Sequence, residues 1–410
     1  MALAQEGLGR RDELTFRANV RGSRYGWLRL TPAYSVHLVR GLLAEHAGVG
    51  ARVLDPFCGT GTTALVCAEA GMACETTDIN PFLVWLARAK TRRYAKGDLS
   101  AFAALAGVVG GAMNRPRASC WVPAIHNVER WWPSPVLAAL GRAREAIRRE
   151  RESAPPRARD LLDVAFCRTM IESANVSFGH QSMSFASAGK AKARGDAADV
   201  RARWGAATQA IASAAESPIA RGPSVRQADA RALASAVKGP FDCVVTSPPY
   251  PNRMSYVREL RPYMYWLGYL EDARDAGELD WKAIGGTWGC ATSNVAKWSP
   301  SPSSAGVPYG PFAEIVGAIR AKSDVLARYV EKYFHDAVKH AASVYEVAAK
   351  GASIHYIVGN SKFYDVVLPV ESIYAAVFEH AGFAHSRVTT IRKRSSKKEL
   401  YEFVVSAKKP

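Results

Sequence analysis

The sequence lacks every cysteine pattern that would hold a metal or a CxxC redox pair. Its seven cysteines, Cys58, Cys67, Cys74, Cys120, Cys167, Cys243 and Cys290, show no Cys-x-x-Cys pair and no zinc-ligand spacing, and they read as buried, reduced thiols. Long apolar runs are missing too. The longest weakly polar stretch, Phe102 to Met113, falls short of the ~20 residues that cross a bilayer, so no membrane span is expected. The segment from Met1 to Arg21 carries Glu6, Arg10, Arg11, Asp12 and Glu13 in place of an apolar signal core, which points to a cytoplasmic protein. Acidic residues are scarce beside basic ones: 37 Asp and Glu against 54 Lys and Arg, a net charge of +17. That surplus favours a polyanionic partner through phosphate neutralisation, and is equally compatible with a plainly basic, soluble surface. Disorder over most of the length is excluded by 48% apolar and 22% charged residues, and 410 residues allow a large core plus an insertion or second domain.

What is present starts with a β-α-β unit. Residues 51–95 read as strand, glycine-rich turn, helix and strand: Arg52 to Leu54, Asp55 to Thr63, Ala64 to Ala70, Ala73 to Thr77. Ahead of it, Thr31-Pro32 predicts a helix start, and apolar residues from Val36 to Leu43 recur at helical spacing. Residues 100–223 turn alanine-rich and basic, interrupted by prolines, and read as a mainly helical insertion. Strands are expected again at Ser224 to Gln227 and Phe241 to Thr246. Gly285 to Pro311 reads as a long loop and Phe312 to Ala349 as one long amphipathic helix. A strand (Ser353 to Val358), a helix (Val370 to Ala381) and two strand-like runs (Arg387 to Arg392, Leu400 to Ser406) follow, the last two suited to antiparallel pairing at a sheet edge. The chain thus divides into 1–99, 100–223 and 224–410.

Two turns carry chemistry. In the first, Asp55-Pro56-Phe57-Cys58-Gly59-Thr60-Gly61-Thr62-Thr63, two glycines let the backbone approach a ligand where a helix presents unpaired amides. Asp78 ends the next strand, where a carboxylate can accept from both hydroxyls of a ribose. The third glycine of a dinucleotide fingerprint and a Gly-Lys-Ser/Thr phosphate cradle are both absent. Asp55 would repel a pyrophosphate but suits a cationic amino group. The second turn is Thr246-Ser247-Pro248-Pro249-Tyr250. Its prolines remove two amide donors, so it presents acceptors, here Ser247 Oγ and the Pro248 carbonyl, able to hold the two hydrogens of an aromatic amine. Tyr250 offers a flat face to an extruded base. Read singly, a glycine turn in any α/β protein and a proline turn with a packing tyrosine remain alternatives.

Together these residues closely resemble the amino-methyltransferases of DNA, with their Asp-x-Phe-x-Gly-x-Gly cofactor motif and their (Asp/Asn/Ser)-Pro-Pro-Tyr motif for the target amine. Tyr25 to Tyr34 resembles the family's N-terminal cofactor motif, Gln227 to Arg231 its third-strand motif, and Tyr356 to Ser361 a late-strand signature. The resemblance implies a Rossmann-like α/β fold: a seven-stranded methyltransferase sheet, mostly parallel, with one antiparallel strand near the edge and a helical insertion. It implies S-adenosyl-L-methionine as cofactor, no metal, and cofactor contacts from Tyr25, Thr31, Asp55, Phe57, Gly59, Thr60, Gly61, Thr62, Asp78, Ile79, Asp229 and Ala230. Ser247, Pro248, Pro249 and Tyr250 would be catalytic. The serine version of the motif usually accompanies methylation of cytosine N4, and the aspartate version adenine N6. DNA with a flipped cytosine, a site of action at the nucleoid and a cognate restriction endonuclease are the implied partners and setting. Carbon-5 methylation is disfavoured because no Pro-Cys dipeptide occurs, which leaves Cys58 as a packing residue.

The order of the motifs departs from many serine-type enzymes: the cofactor turn precedes the catalytic turn, and the insertion lies before the third strand. Target recognition is therefore open between the insertion (Trp131, Trp132, His180, Lys190 to Arg194) and the region after the catalytic turn (Arg253, Arg258, Arg261, Thr287 to Lys297). Tryptophans in the core and solvated charges are the plainer reading of most of these. Arg392, Lys393, Arg394, Lys397 and Lys398 read as a hairpin turn that touches backbone phosphates. Three other functions stay in view: an adenine N6 enzyme, a base-amine methyltransferase of structured RNA such as tRNA, and a silent nucleic-acid-binding subunit.

Overall fold

In the computed structural model the described residues are 19, 23–28, 30, 34–177, 184–185, 195–287, 289–302, 305–394 and 399–410. The expectations placed on Thr31, His180, Lys190 to Arg194, Lys397 and Lys398 lie outside them. Helix α1, Val36–His46, is capped by Ser35, whose Oγ accepts from the Leu38 amide, so it begins after Thr31-Pro32. Strand β1 (Arg52–Asp55), helix α2 (Thr62–Ala70), β2 (Ala73–Asp78) and α3 (Pro81–Thr91) form the expected unit, with Asn80 and Pro81 starting α3.

The insertion is helical: α4 (Lys96–Met113), α5 (Ser134–Glu150), α6 (Pro156–Glu172) and α7 (Ala197–Ala215). Pro135 and Pro156 stand in the first turns of α5 and α6, where a missing amide costs nothing. Beyond it come β3 (Ser224–Gln227), β4 (Phe241–Thr246), α8 (Tyr256–Leu267) and α9 (Ala273–Lys282). The expected loop from Gly285 contains a helix, α10 (Cys290–Lys297), and the expected long helix is two, α11 (Phe312–Arg320) and α12 (Asp324–Val347). Ser323 causes the break: in an extended conformation its side chain caps the Leu326 amide and restarts the helix. Strand β5 (Ala348–Gly359), helix α13 (Val370–His380) and strands β6 (Ala384–Lys393) and β7 (Tyr401–Lys408) complete the chain.

Among the described residues these seven strands make one sheet in the order β6-β7-β5-β4-β1-β2-β3, and four short strands form two further antiparallel pairs, Val176–Ser177 with Ser184–Phe185 and Ser361–Phe363 with Val366–Leu368. Strands β3, β2, β1, β4 and β5 run parallel, while β7 is antiparallel to both β5 and β6, as the last two runs suggested. Central strands β1 and β4 are covered on both faces, which is why successive residues such as Val53 and Leu54 or Cys243 to Val245 are all buried. The chain leaves β1 toward β2 on one side and returns to β4 on the other. The carboxyl ends of β1 and β4 therefore flank a topological switch point, the usual place for a ligand in an open α/β sheet.

The insertion shares a core with the rest. Trp132 and Phe166 from the insertion pack on Trp266 of α8 with ring centroids 5.6 and 5.3 Å apart, and the Trp132 indole donates to the Met170 carbonyl. Trp131 and Trp132 are buried, so the core reading of the two tryptophans is the one the structure shows. Cysteine burial needs a correction: Cys120 and Cys290 are exposed, because they sit in a surface loop and at the start of a surface helix. Among the described residues no helix is long and apolar enough to cross a membrane.

A fully buried Arg24 pins these parts together. Its Nε donates to Ala214 O, Nη1 to Lys90 O and Arg92 O, and Nη2 to Ala215 O and Ser217 O, joining the ends of α3 and α7. A cation at two helix C-termini also opposes their dipoles. Arg24→Met is expected to lower stability by about 3 kcal/mol or more, since buried carbonyls lose charged donors. Arg24→Lys should recover only part of this, having three donors and no planar fork. Urea unfolding of the two variants checks it; a Met variant as stable as wild type would contradict the role.

Candidate active site

Asp55, the last residue of β1, is fully buried and saturated with donors. The Thr246 hydroxyl donates to Oδ1 at 2.6 Å, the Phe57 amide to the same oxygen at 3.1 Å, and the Tyr34 hydroxyl to Oδ2 at 3.2 Å. Tyr34 also bonds the Thr63 hydroxyl, which reaches the Val245 carbonyl at 3.2 Å. Since Thr246 immediately precedes Ser247, one carboxylate holds both turns at once. Burial pushes the Asp55 carboxyl up to about 6, against the pull of these hydrogen bonds.

The first turn is rigid from end to end. Cys58 N bonds Thr77 O, Gly61 N bonds Cys58 O, and the buried Lys90 ammonium donates to Thr60 O at 3.0 Å. Gly61 is left-handed (φ 79°), and a Cβ there would sit 3.1 Å from Ala87 Cβ, which shows why glycine is required. Cys58 is buried with its thiol pushed well up by desolvation, as suits a packing residue. Asp78 accepts from the Gly59 amide through Oδ2 and from the Asn80 amide through Oδ1, both at 2.9 Å. Burial raises its carboxyl to about 6. Four lone-pair sites less two donors leave Asp78 able to accept more. Ile79 is tied to the end of β3 through its carbonyl, which receives the Gln227 amide at 3.2 Å.

Asp229 lies in the turn after β3, gripped by Arg231 through Nε and Nη2 at 3.0 and 2.7 Å. Burial alone would raise its carboxyl, but the Arg231 bonds outweigh it and hold it below the ordinary value. Ala230 is linked to the first turn by His340, a residue of α12 that motif reading missed. His340 Nδ1 donates to Ala230 O at 2.7 Å, its Nε2 accepts from Tyr356, and its ring lies 4.7 Å from that of Phe57. Burial lowers it to about 4, so it is neutral near pH 7. A histidine on the buried stripe of an amphipathic helix, beside Ala337, Ala341 and Val344, was the available signal. Tyr25 turns elsewhere: its hydroxyl donates to Glu69 on α2, and only its carbonyl reaches toward the turn, through Lys90.

In the second turn, Ser247 Oγ donates to Ile357 O of β5 at 3.0 Å. Its one proton is taken up by Ile357 O, with the Tyr250 hydroxyl at 3.5 Å as a weaker second acceptor, which leaves Oγ to accept. The Pro249 carbonyl is taken by Tyr333 at 2.6 Å, and Pro248 is buried. Tyr250 donates to Glu402 at 2.9 Å, and burial next to that carboxylate pushes its hydroxyl well up. The basic candidates diverge. Arg253 and Arg258 are exposed, whereas Arg261 is half-buried with its guanidinium 5.2 Å over the Trp131 ring. Most of Thr287 to Lys297 is helix α10, and Thr287 N is held by Asp280 at 2.7 Å. Among the described residues no cluster of His, Cys, Asp and Glu is arranged to hold a metal.

The expected residues at the strand ends, from Asp55 to Asp78, Asp229 and Ser247, are thus gathered along one edge of the sheet, while Tyr25 and Arg261 face other partners.

No family model matches the chain. It is 35% identical over 72 residues to the Type II methyltransferase M.AvaI of Nostoc sp., covering 17% of this chain and 15% of that protein. It is 40% identical over 57 residues to the Type II methyltransferase M.MjaII of Methanocaldococcus jannaschii, covering 14% and 11%. The chain thus spans about a seventh or less of these relatives' length. Among solved structures it is similar to TrmN from Thermus thermophilus (TM-score 0.33, 12% identity, 96% of this chain and 53% of that one). It is similar also to the rRNA methyltransferase AviRa from Streptomyces viridochromogenes (TM-score 0.30, 13% identity, 92% and 86%). Likenesses that weak assign no substrate.

A buried charge leaves a trace in stability. The folded Asp55 carboxyl binds its proton at about 6 and the ordinary one at 3.8, so its favourable contribution is full below the lower value and lost as pH rises through the higher. Keeping it ionised costs about 3 kcal/mol at neutral pH. Asp55→Asn removes the charge and keeps an acceptor for Thr246 and Phe57. Its stability relative to wild type is expected to be about 2.5 kcal/mol more favourable at about pH 7.5 than at about pH 4. Urea unfolding at both pH values measures this; a pH-independent difference would contradict a buried, ionised Asp55.

Proposed function

We propose that this protein transfers a methyl group from S-adenosyl-L-methionine to the N4 amine of a cytosine in DNA, as a site-specific methyltransferase of the restriction-modification kind. The observation that carries the reading is the commitment of the Ser247 proton to Ile357 O, which makes Oγ an acceptor. An aromatic amine is a poor nucleophile while its lone pair is delocalised into the ring. Acceptors at Ser247 Oγ and Pro248 O would hold its two hydrogens and favour an out-of-plane lone pair. The Pro249 carbonyl is occupied by Tyr333, which leaves Pro248 as the proline carbonyl for this role. Tyr250, kept neutral, supplies the stacking face.

The donors fit the cofactor. The two-glycine turn admits close backbone approach, and Asp78 has acceptor sites left for ribose hydroxyls. The buried Asp55 carboxylate favours a cation nearby, and the Asp229 and Ala230 turn lies next along the sheet edge. When bound, S-adenosyl-L-methionine supplies an electrophilic methyl on a sulfonium. Support also comes from short matches to two Type II methyltransferases and from a +17 charge suited to a polyanion. A cognate endonuclease and a site of action at the nucleoid belong to the same proposal.

The test is incubation with labelled S-adenosyl-L-methionine and genomic DNA or total RNA, then nucleoside mass spectrometry. N4-methyldeoxycytidine is expected, reduced about a hundredfold or more by Ser247→Ala. N6-methyldeoxyadenosine alone would overturn the choice of base, a methylated RNA nucleoside alone the choice of nucleic acid, and no transfer at all would favour a silent binding subunit.

A further inference from the structure

The hairpin between β6 and β7 does something its basic composition does not suggest. Arg392 and Arg394 both turn toward Tyr250 and Glu402. Arg392 Nε donates to Glu402 Oε2 at 2.7 Å, while the other oxygen of Glu402 receives the Tyr250 hydroxyl. Arg394 lies with its guanidinium carbon 5.4 Å from the centre of the Tyr250 ring. Its position is built. The Arg394 amide bonds Leu400 O, and Asn360 at the end of β5 holds the Glu399 carbonyl and the Tyr401 amide. Gly359 clears the space: a Cβ there would collide with Arg394 Nη1 and come within 3.0 Å of Tyr250 Cε2. Yet Nη1 is buried and, among the described residues, has no hydrogen-bond acceptor. A guanidinium nitrogen out of water with nothing to donate to is costly, and a fold that holds it there requires a reason.

We infer that Arg394 reads the substrate: its guanidinium, held over Tyr250, donates to an acceptor oxygen of the nucleotide seated at the catalytic turn, and so helps to place the target base against Tyr250. Arg392 and Glu402 compensate each other, which leaves Arg394, among the described residues beside Tyr250, as a cation with no carboxylate partner. The acceptor is a ring carbonyl of the base or an oxygen of its adjoining phosphate. This rests on the reading of Ser247 to Tyr250 as the amine-holding turn.

Arg394→Met keeps the stem over Tyr250 and removes the donors; Arg394→Lys keeps the charge. With wild type as reference, four readouts are needed: melting temperature, S-adenosyl-L-methionine affinity by calorimetry, kcat/KM on a cytosine-containing oligonucleotide, and the salt dependence of its binding. The expected result for Arg394→Met is kcat/KM lower by about ten- to a hundredfold, with melting no lower than wild type and cofactor affinity unchanged, and a smaller loss for Lys. An unchanged salt slope then assigns the ring carbonyl, and a slope reduced by about one assigns the phosphate. Turnover equal to wild type would overturn the inference, as would losses of melting temperature or cofactor affinity that track the loss of turnover. A wild-type protein that methylates no nucleic acid would instead overturn the functional reading, and the inference with it.

Discussion

Everything in the site hangs on a carboxylate that the fold keeps dry. Asp55 ends the central strand, and its bonds from Thr246, Phe57 and Tyr34 draw together strand β4, the glycine turn and the segment before α1. Neighbouring strands could place their ends side by side without such a link, but backbone ladders alone leave the loops beyond them free to choose conformations. The Thr246 bond removes that freedom one residue ahead of Ser247. Desolvating a carboxylate opposes folding, so the arrangement makes physical sense where a cationic ligand recovers the cost on binding.

The remaining contacts extend the same principle to longer range. His340 fastens the Phe57 ring to the Ala230 carbonyl and to Tyr356, so a neutral imidazole joins three parts of the sheet edge without adding charge. Lys90 reaches the Thr60 carbonyl from below, and Arg24 collects the ends of α3 and α7 behind it. The insertion packs through Trp132 and Phe166 on Trp266 of α8, the helix that follows the Ser-Pro-Pro-Tyr turn.

Parts of this were legible because their signals are local. The glycine turn and the Ser-Pro-Pro-Tyr turn are each one contiguous stretch directly after a strand, and Asp78 ends the next strand. The antiparallel edge followed from two strand-like runs separated by a basic turn. Signals spread along the chain were not legible. The break at Ser323 is a capping event inside an otherwise unbroken apolar period, so periodicity ran through it. Helix α10 is hidden in a stretch whose glycines, serines and prolines suggest a loop. Arg24, His340 and Arg394 act on residues far away in sequence, and only the folded chain shows where each side chain is aimed. The basic hairpin is the sharpest case, since composition suggested outward charges and the structure turns two of them in.

Thr246→Val tests the central claim most directly, because valine keeps the shape of a buried residue that touches neither substrate nor cofactor in this account and deletes its bond to Asp55. Losing that donor lets the carboxyl take up a proton more readily and unties the two turns. Calorimetric titration with S-adenosyl-L-methionine is expected to show binding by wild type and an affinity lower by about tenfold in the variant, a loss of roughly 1.4 kcal/mol. A wild-type protein that does not bind the cofactor, or a variant that binds it equally well, would contradict the account.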